Sequence, residues 1–316
     1  MIKPVVFISK CITFEPVRYS GQMVSSEFVD KLKPFIIPVT HCPEVEIGLG
    51  VPRDSIRILV FEDKEKNIKK FKLIQPSTNI DLTFKMLEYS QNLLEKIGQI
   101  DGFILKAKSP SCGIRDVKLY NEKNELIPLN RKNPGIFGGI VLEKFKNKIV
   151  EDEQRLIDSF LKDNFLKSIY LSANFRVISL NKKIQNLIKY HEKNKLLLMS
   201  YSQYNMRLLG KIVADAKKIG LEESFKQYED LLGKTISRPY KKTELINCFE
   251  HSFGYFKDQL KPGEKKFFLD NLKDFSDSKV SQLAVITLLK SYIIRFEEKY
   301  LSNQTLFNPY PQELMY

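Results

Sequence analysis

The stretch "PVVFISKC" (residues 4–11) sets a short, β-branched-rich apolar run directly before a cysteine. The arrangement recurs. "FIIPVTHC" (35–42) ends in Cys42, and "DGFILKAKSPSC" (101–112) reaches Cys112 a few residues past its run. A further run, "SIRILVF", covers 55–61. Runs of this length bounded by turn residues read as strands. Between the last two, "LTFKMLEYSQNLLEKIG" (82–98) carries Phe84, Leu87, Leu93, Leu94 and Ile97 at helical spacing, with Gly98 as a stop. Short apolar strands alternating with helices predict a parallel, doubly wound α/β sheet.

From about residue 151 the pattern changes to long helical periods. Helices are expected over 152–168, 180–219, 222–232, 241–275 and 279–300, punctuated by Gly220, Gly233, Pro239 and Pro262–Gly263. "SIYLSANFRVISLNK" (168–182) reads as the linker, and the tail after 300 as irregular. The expected organisation is thus an α/β domain over 1–150 followed by an all-α domain over 151–316. No internal repeat or low-complexity tract is visible.

Composition bounds the function. The chain has 316 residues, 43% apolar and 28% charged, which is ordinary for a globular protein. No run approaches the ~18 consecutive apolar residues of a membrane span, and "MIKPVVFISKC" lacks a signal-peptide pattern. A cytoplasmic protein is expected, in which four cysteines serve as free thiols, metal ligands or catalysts and not as a disulfide framework. The net charge is +13. Up to residue 150 there are 24 Lys and Arg against 17 Asp and Glu; beyond it there are 27 against 21. A spread excess of this kind suits a polyanion, or simply a lysine-rich solvated surface.

In an open α/β sheet, ligands bind outside the carboxyl ends of the strands. Cys11, Cys42 and Cys112 share that placement and are expected to converge there, while Cys248, in "ELINCFEHSF", reads as a buried apolar residue. Structural zinc prefers four ligands, commonly in close Cys-x-x-Cys pairs, and none occurs here. His41 could complete such a set, although its ring is expected to point away from Cys42. A cubane iron–sulfur cluster on three cysteines would leave one iron open to act as a Lewis acid. Three unrelated buried cysteines remain an equal reading.

"ISKCITFEPVRYSG", "CPEVEIGLGVPR", "LKAKSPSCG" and "PGIFGGIVLE", in this order, resemble the thiouracil desulfurase (TudS-like) family. "HEKNKLLLMSYSQYNMRLLGKIVAD" and "NCFEHSFGYFKDQLKPGEKKFF" resemble the YbgA-type domain often fused to it. The fused form is similar to the tRNA 4-thiouridine desulfidases (RudS-like). The resemblance implies a [4Fe-4S] cluster on Cys11, Cys42 and Cys112, and conversion of a pyrimidine thiocarbonyl to a carbonyl with release of sulfide and no net redox change. Many single-domain members carry Gly-Gly after the CPE segment, whereas this chain has "EIGLG" with Glu46.

Such chemistry needs proton transfer. Glu44 or Glu46 is the candidate general acid/base, and Ser109 or Ser111 the candidate relay or ring-orienting group. Pro110 and Gly113 shape a turn whose N–H groups could bond cluster sulfides. Arg18 and Arg53 could bind a phosphate, balance the cluster's charge, or pair with a nearby acid. In the helical half, Lys193, Lys195, Arg207, Lys211, Lys217, Lys218, Arg238, Lys241, Lys242, Lys257, Lys265 and Lys266 are interleaved with Tyr201, Tyr204, Tyr240 and Tyr255. Basic helices with aromatics can track phosphates and stack on unpaired bases. Taken with the resemblance, tRNA is the expected partner, contacted at Lys241, Lys242, Lys265 and Lys266. Free thiouracil or a thionucleoside is the alternative substrate, and a non-catalytic RNA-binding protein with a structural metal site the alternative class.

Overall fold

The structure, a computed structural model, describes residues 2–63, 68–128 and 133–315. Arg131 and Lys132, at the head of the Gly-rich segment, lie outside them. The chain forms two compact units, Met1–Ala173 and Asn174–Tyr316.

In the first unit, β1 (Val5–Ser9), β2 (Ile37–His41), β6 (Gly102–Leu105) and β8 (Ile149–Asp152) form a parallel sheet in the order β2-β1-β6-β8. Its central strands are apolar on both faces: Val6, Phe7, Ile8, Phe103, Ile104 and Leu105 are all fully buried. This is the pattern of strands covered by helices on both sides. α1 (Glu27–Leu32) and the first part of α5 (Ser159–Leu180) cover one face, with Phe28 edge-on to Phe165 at 6.4 Å. On the other face, Phe7 meets Phe103 at 5.6 Å and Phe137 at 5.5 Å. Phe137 comes from α4 (Ile136–Lys144), and α3 (Thr83–Lys96) packs beside it.

The run at 55–61 departs from expectation. It becomes β3 (Arg57–Asp63) of a second sheet, ordered β5-β4-β3-β7, with β4 (Ile68–Gln75), β5 (Ile80–Asp81) and β7 (Leu119–Tyr120). β3 pairs antiparallel with β4. Along it Ile58 and Val60 are buried, while Arg57, Leu59 and Phe61 are half-buried. That alternation belongs to a sheet with one wet face. The core face of α3 also differs. Met86, Ser90 and Leu94 face inward, whereas Phe84 is 74% exposed. Ser90 occupies a core position because its Oγ donates to Met86 O at 2.5 Å within the helix.

The second unit is helical. α6 (Ile184–Tyr201), α7 (Gln203–Ala214), α8 (Ala216–Ile219), α9 (Leu221–Ile236), α10 (Lys242–Gly254), α11 (Pro262–Ser276), α12 (Gln282–Arg295) and α13 (Lys299–Ser302) follow in order. The long helix expected over 180–219 breaks at Ser202, whose hydroxyl caps α7 by accepting from Asn205 N. The one expected over 241–275 breaks before Pro262, which opens α11. The expected linker at 168–182 lies instead largely within α5, where Ile169, Tyr170, Leu171 and Ala173 are buried. Its β-branched, Ser-containing composition disguised a helix stabilised by burial. Among the described residues no helix is long and apolar enough to cross a membrane.

A cut at residue 150 would fall inside β8 and remove Phe165 and Ile169, whose side chains lie against Gly102 of β6. A chain ended there should show no cooperative melt by circular dichroism. In the full chain, Ile169→Ala should cost about 2–5 kcal/mol in denaturant unfolding.

Candidate active site

The parallel register ends β1, β2, β6 and β8 along one edge, and the candidate residues collect there. Cys11 follows β1 by two residues, Cys42 follows β2 directly, and Cys112 sits in the loop after β6. All three are buried and line one cavity of about 310 Å³. Glu44, Arg18, Arg53, Ser109 and Ser111 line the same cavity. The expected convergence of the three strand-end cysteines is therefore observed. Cys248 lies elsewhere, in the helical unit, with its thiol donating to Leu196 O at 2.9 Å.

Cys42 caps the N-terminus of the short helix α2 (Pro43–Glu46), with Pro43 at its first position. Residues two apart on a helix point in different directions, which separates the two acids. Glu44 faces the cavity. Its Oε2 accepts from Arg53 Nε at 3.0 Å and Nη2 at 2.7 Å, and its Oε1 from Ser111 Oγ at 2.5 Å. Ser109 Oγ stands 3.4 Å from the same Oε1 and 2.9 Å from Ser111 Oγ. Glu46 does not line the cavity; its carboxylate meets His41 Nδ1 at 3.3 Å. His41 reaches the cavity wall, with its ring stacked on Phe7.

Arg53 is consumed by this network. Its Nη1 donates to Val17 O at 3.0 Å and Gly50 O at 3.1 Å, so every guanidinium nitrogen is engaged. Of the two arginines weighed as anion binders, Arg53 is thus the partner of Glu44. Arg18 lines the cavity and meets no carboxylate among the described residues.

The loop "SPSCG" is held by the Gly-rich segment that follows it. Gly135 N donates to Gly113 O at 2.7 Å, Ile136 N to Pro110 O at 3.1 Å and Gly138 N to Ser111 O at 3.0 Å. The free N–H groups at the start of α4 are thereby satisfied by the loop that carries Cys112. Only glycine allows this approach. A Cβ at Gly135 would stand 2.5 Å from Ser111 O, and one at Gly138 would stand 2.3 Å from Gly113 O.

Sequence reasoning missed Lys106, a polar member of the wall, and Glu153, which pairs with it. Lys106, just beyond β6, donates from Nζ to Glu153 Oε1 at 2.5 Å and to Ala107 O at 3.0 Å. Glu153, just beyond β8, also accepts from Ala107 N at 2.8 Å through Oε2. Lys106 N in turn donates to Ser9 Oγ at 3.0 Å. The available signal was their position past strand ends. A buried pair like this adds little net stability, but it ties the start of the cysteine loop to two neighbouring strands.

Burial pushes the Cys11 thiol up to about 12, with Cys42 raising it further and Lys106 opposing. Burial likewise raises Cys42, against the backbone N–H groups of Val45 and Glu44, and raises Cys112 well above the ordinary range. Cys42 raises both Cys11 and Cys112, and Cys11 raises Cys112 as well, so burial and mutual repulsion both oppose ionising the set. Among the described residues, no group of three or more His, Cys, Asp and Glu side chains is arranged to hold a metal ion. Three soft donors around one buried space suit a polynuclear centre, whose ligands attach to different metal atoms.

In the helical unit the four lysines expected to contact phosphate differ from one another. Lys242 Nζ donates to Ser276 O at 2.9 Å and Ser278 Oγ at 2.7 Å, closing the end of α11. Lys241 and Lys266 are exposed and Lys265 is half-buried. Tyr201 and Tyr240 are core residues packed edge to face at 5.8 Å, whereas Tyr204 and Tyr255 are exposed.

The 2-thiouracil desulfurase family model matches residues 6–153, and the model of a protein family of unknown function, DUF1722, matches 195–311. The chain therefore joins a 2-thiouracil desulfurase domain to a C-terminal DUF1722 domain. Over 127 residues it is 26% identical to the uncharacterised protein YbgA of Escherichia coli (strain K12), covering 40% of this chain and 75% of that protein. A solved structure of the [4Fe-4S]-dependent thiouracil desulfidase TudS is 24% identical and covers 49% of this chain and 94% of that one, with a TM-score of 0.37.

If the three thiols hold iron, Cys11→Ala, Cys42→Ala and Cys112→Ala should each lose iron and sulfide from anaerobically prepared protein, while Cys248→Ala retains them. The raised thiols also set a pH dependence. A group whose pKa is higher in the folded state stabilises the fold below its unfolded value and loses that contribution as pH rises. Iron-free protein should therefore melt at progressively lower temperature as pH is taken above the ordinary thiol value of 9.0 toward about 12. Cys11→Ala should flatten that decline.

Proposed function

We propose that the chain is an iron–sulfur-dependent desulfidase that replaces a thiocarbonyl sulfur of a thiouracil ring by oxygen. The observation that carries this reading is the placement of Glu44 in the wall of the three-thiol cavity, with one carboxylate oxygen fixed by Arg53 and the other turned to Ser111. Cys11, Cys42 and Cys112 would hold the cluster, which supplies a thiophilic Lewis acid beside the thiocarbonyl.

The reaction consumes water and releases hydrogen sulfide, and the ring carbon keeps its oxidation state. Water adds at that carbon and must lose a proton. Glu44 Oε1 is the acceptor, and the proton returns to the departing sulfur. Arg53 fixes the carboxylate plane, so Oε1 needs no rearrangement to receive the proton. Ser111 and Ser109 hold Oε1 in place and offer hydroxyls to the ring. Glu46, paired with His41 off the cavity wall, supports Glu44 as the acid/base of the two.

The finer reading is 4-thiouridine within tRNA. It rests on the resemblance of the fused architecture to the tRNA desulfidases and on a positive excess in both halves of the chain. Free thiouracil is the second reading, favoured by the description of the matching family.

Glu44→Gln should retain iron and lose on the order of a hundredfold or more in turnover. Near-normal turnover in that variant would move the proton transfer to Glu46 or a serine. Sulfide release from 4-thiouridine-containing tRNA and from free 4-thiouracil, compared at equal enzyme, separates the substrates. Release from the base alone would sink the tRNA reading and keep the desulfidase.

A further inference from the structure

The cations that line the three-thiol cavity, Lys10, Arg18, Arg53, Lys106 and Lys108, differ in what they have left to give. Every guanidinium nitrogen of Arg53 is engaged, and Lys10 bridges Glu15 at 2.8 Å. Arg18 lies over the ring of Tyr19, and Lys108 is exposed. Lys106 is held at the strand ends, with its side chain 16% exposed. An ammonium carries three N–H donors. Among the described residues Lys106 Nζ uses two of them, on Glu153 Oε1 at 2.5 Å and on Ala107 O at 3.0 Å. The third is left for an occupant of the cavity.

The ion pair is directional. Lys106 lines the cavity, whereas Glu153, its side chain 5% exposed, does not. The cavity therefore meets the positive end of the pair. Glu153 is fixed in turn by Ala107 N, which donates to its Oε2 at 2.8 Å, and Lys106 N donates to Ser9 Oγ at 3.0 Å. The ammonium thus stands on backbone tied to β1 and to the end of β8, and it needs no rearrangement to act. A tie between strands does not require charge. An apolar pair of similar volume would serve stability as well or better. The field of Lys106 also reaches Cys11, where it opposes the effect of burial on that thiol.

We infer that Lys106 is a catalytic residue, whose remaining N–H binds the substrate sulfur as that atom takes on negative charge. The inference rests on the desulfidase reading and adds the group that stabilises the leaving sulfur. As water adds to the ring carbon, the electron pair of the C=S π bond moves to sulfur. The C–S bond then breaks as the carbonyl forms, and sulfur departs with the proton returned by Glu44. Nothing is oxidised or reduced. The charge on sulfur develops beside buried thiols and the Glu44 carboxylate, where like charges repel strongly. A preformed cation answers it, as fixed donors answer an oxyanion. Lys106 keeps its protons throughout: Glu44 moves the proton and Lys106 holds the charge.

The test uses the full chain, prepared anaerobically and loaded with iron, with free 4-thiouracil and 4-thiouridine-containing tRNA as probes. Lys106→Met should keep the iron, the sulfide and the visible spectrum of the parent. It should lower kcat by roughly a hundred- to a thousandfold, the worth of one such donor. KM should stay close to the parent's, because the donor acts only once charge has developed. Lys118→Met removes the same charge from an exposed position outside the cavity and should leave kcat unchanged. Lys106→Met also leaves Glu153 buried without its partner. Lys106→Gln with Glu153→Gln removes both charges together, and it should show the same fall in kcat at a melting temperature near the parent's. Parent-like kcat in either neutral variant would overturn the inference. So would a loss of iron in proportion to the loss of turnover, which would make Lys106 only a support of the cysteine loop. Failure of the iron-loaded parent to release sulfide from either probe would overturn the desulfidase reading and the role of Lys106 together.

Discussion

The parallel pairing of β1 with β2 on one side and β6 on the other is the constraint on which the site depends. Ser9 stands level with His41, and Ile8 with Ile104, so three chain segments leave the sheet at the same height. A parallel sheet requires each strand to be followed by a crossover, which sends the intervening chain away and leaves the first residues past each strand at the edge. Cys11, Cys42 and Lys106 occupy those positions. Glu153, past the fourth strand, belongs to the same row. A slip of one residue in β1 would turn Phe7 out of its aromatic cluster toward the opposite, equally packed face, so packing of the core and registration of the cavity are the same requirement.

The edge is then held by contacts that are costly to bury alone. Arg53 and Glu44 are both largely buried, at 5% and 13% exposure of their side chains. Neither would be tolerated there without the other. Their mutual geometry leaves Oε1 available to the serines, and the guanidinium's remaining donors tie the loops at Val17 and Gly50 to the same point. Glu153 does the equivalent for the cysteine loop through Lys106 and Ala107. The glycines at 135 and 138 complete the device by letting α4 start directly against the loop carbonyls. The result is a cysteine loop fixed from two directions, with no side chain between it and the helix.

In the helical unit the useful distinction lies in which charges are already satisfied. Lys242 serves the end of α11 and Arg295 pairs with Glu264, so neither is available to a partner without loss inside the unit. The tyrosines divide in the same way. Tyr240 spends its hydroxyl on Gln282 at 2.9 Å and its ring on Tyr201, whereas Tyr204 is exposed. A count of basic and aromatic residues treats these groups alike.

The three strand–cysteine junctions, the α/β character of the first half and the helical second half were legible in residue pattern, because apolar period and turn residues are local properties. Family likeness could be read from short motifs for the same reason. Other features depended on what faces what. "SIRILVF" has the composition of a central strand, yet it joins a separate sheet because β4 pairs with it. The segment 168–182 resembles a linker, yet burial makes most of it helix. Choosing Glu44 over Glu46 required the 200° between them on α2 and the position of Arg53, nine residues on. Lys106 and Glu153 are 47 residues apart and meet only because β6 and β8 are neighbours. Sequence alone determined which residue types stand at the strand ends. Only the tertiary structure decided which of them share the cavity and which are consumed by partners, because those outcomes depend on distances between segments that no local pattern encodes.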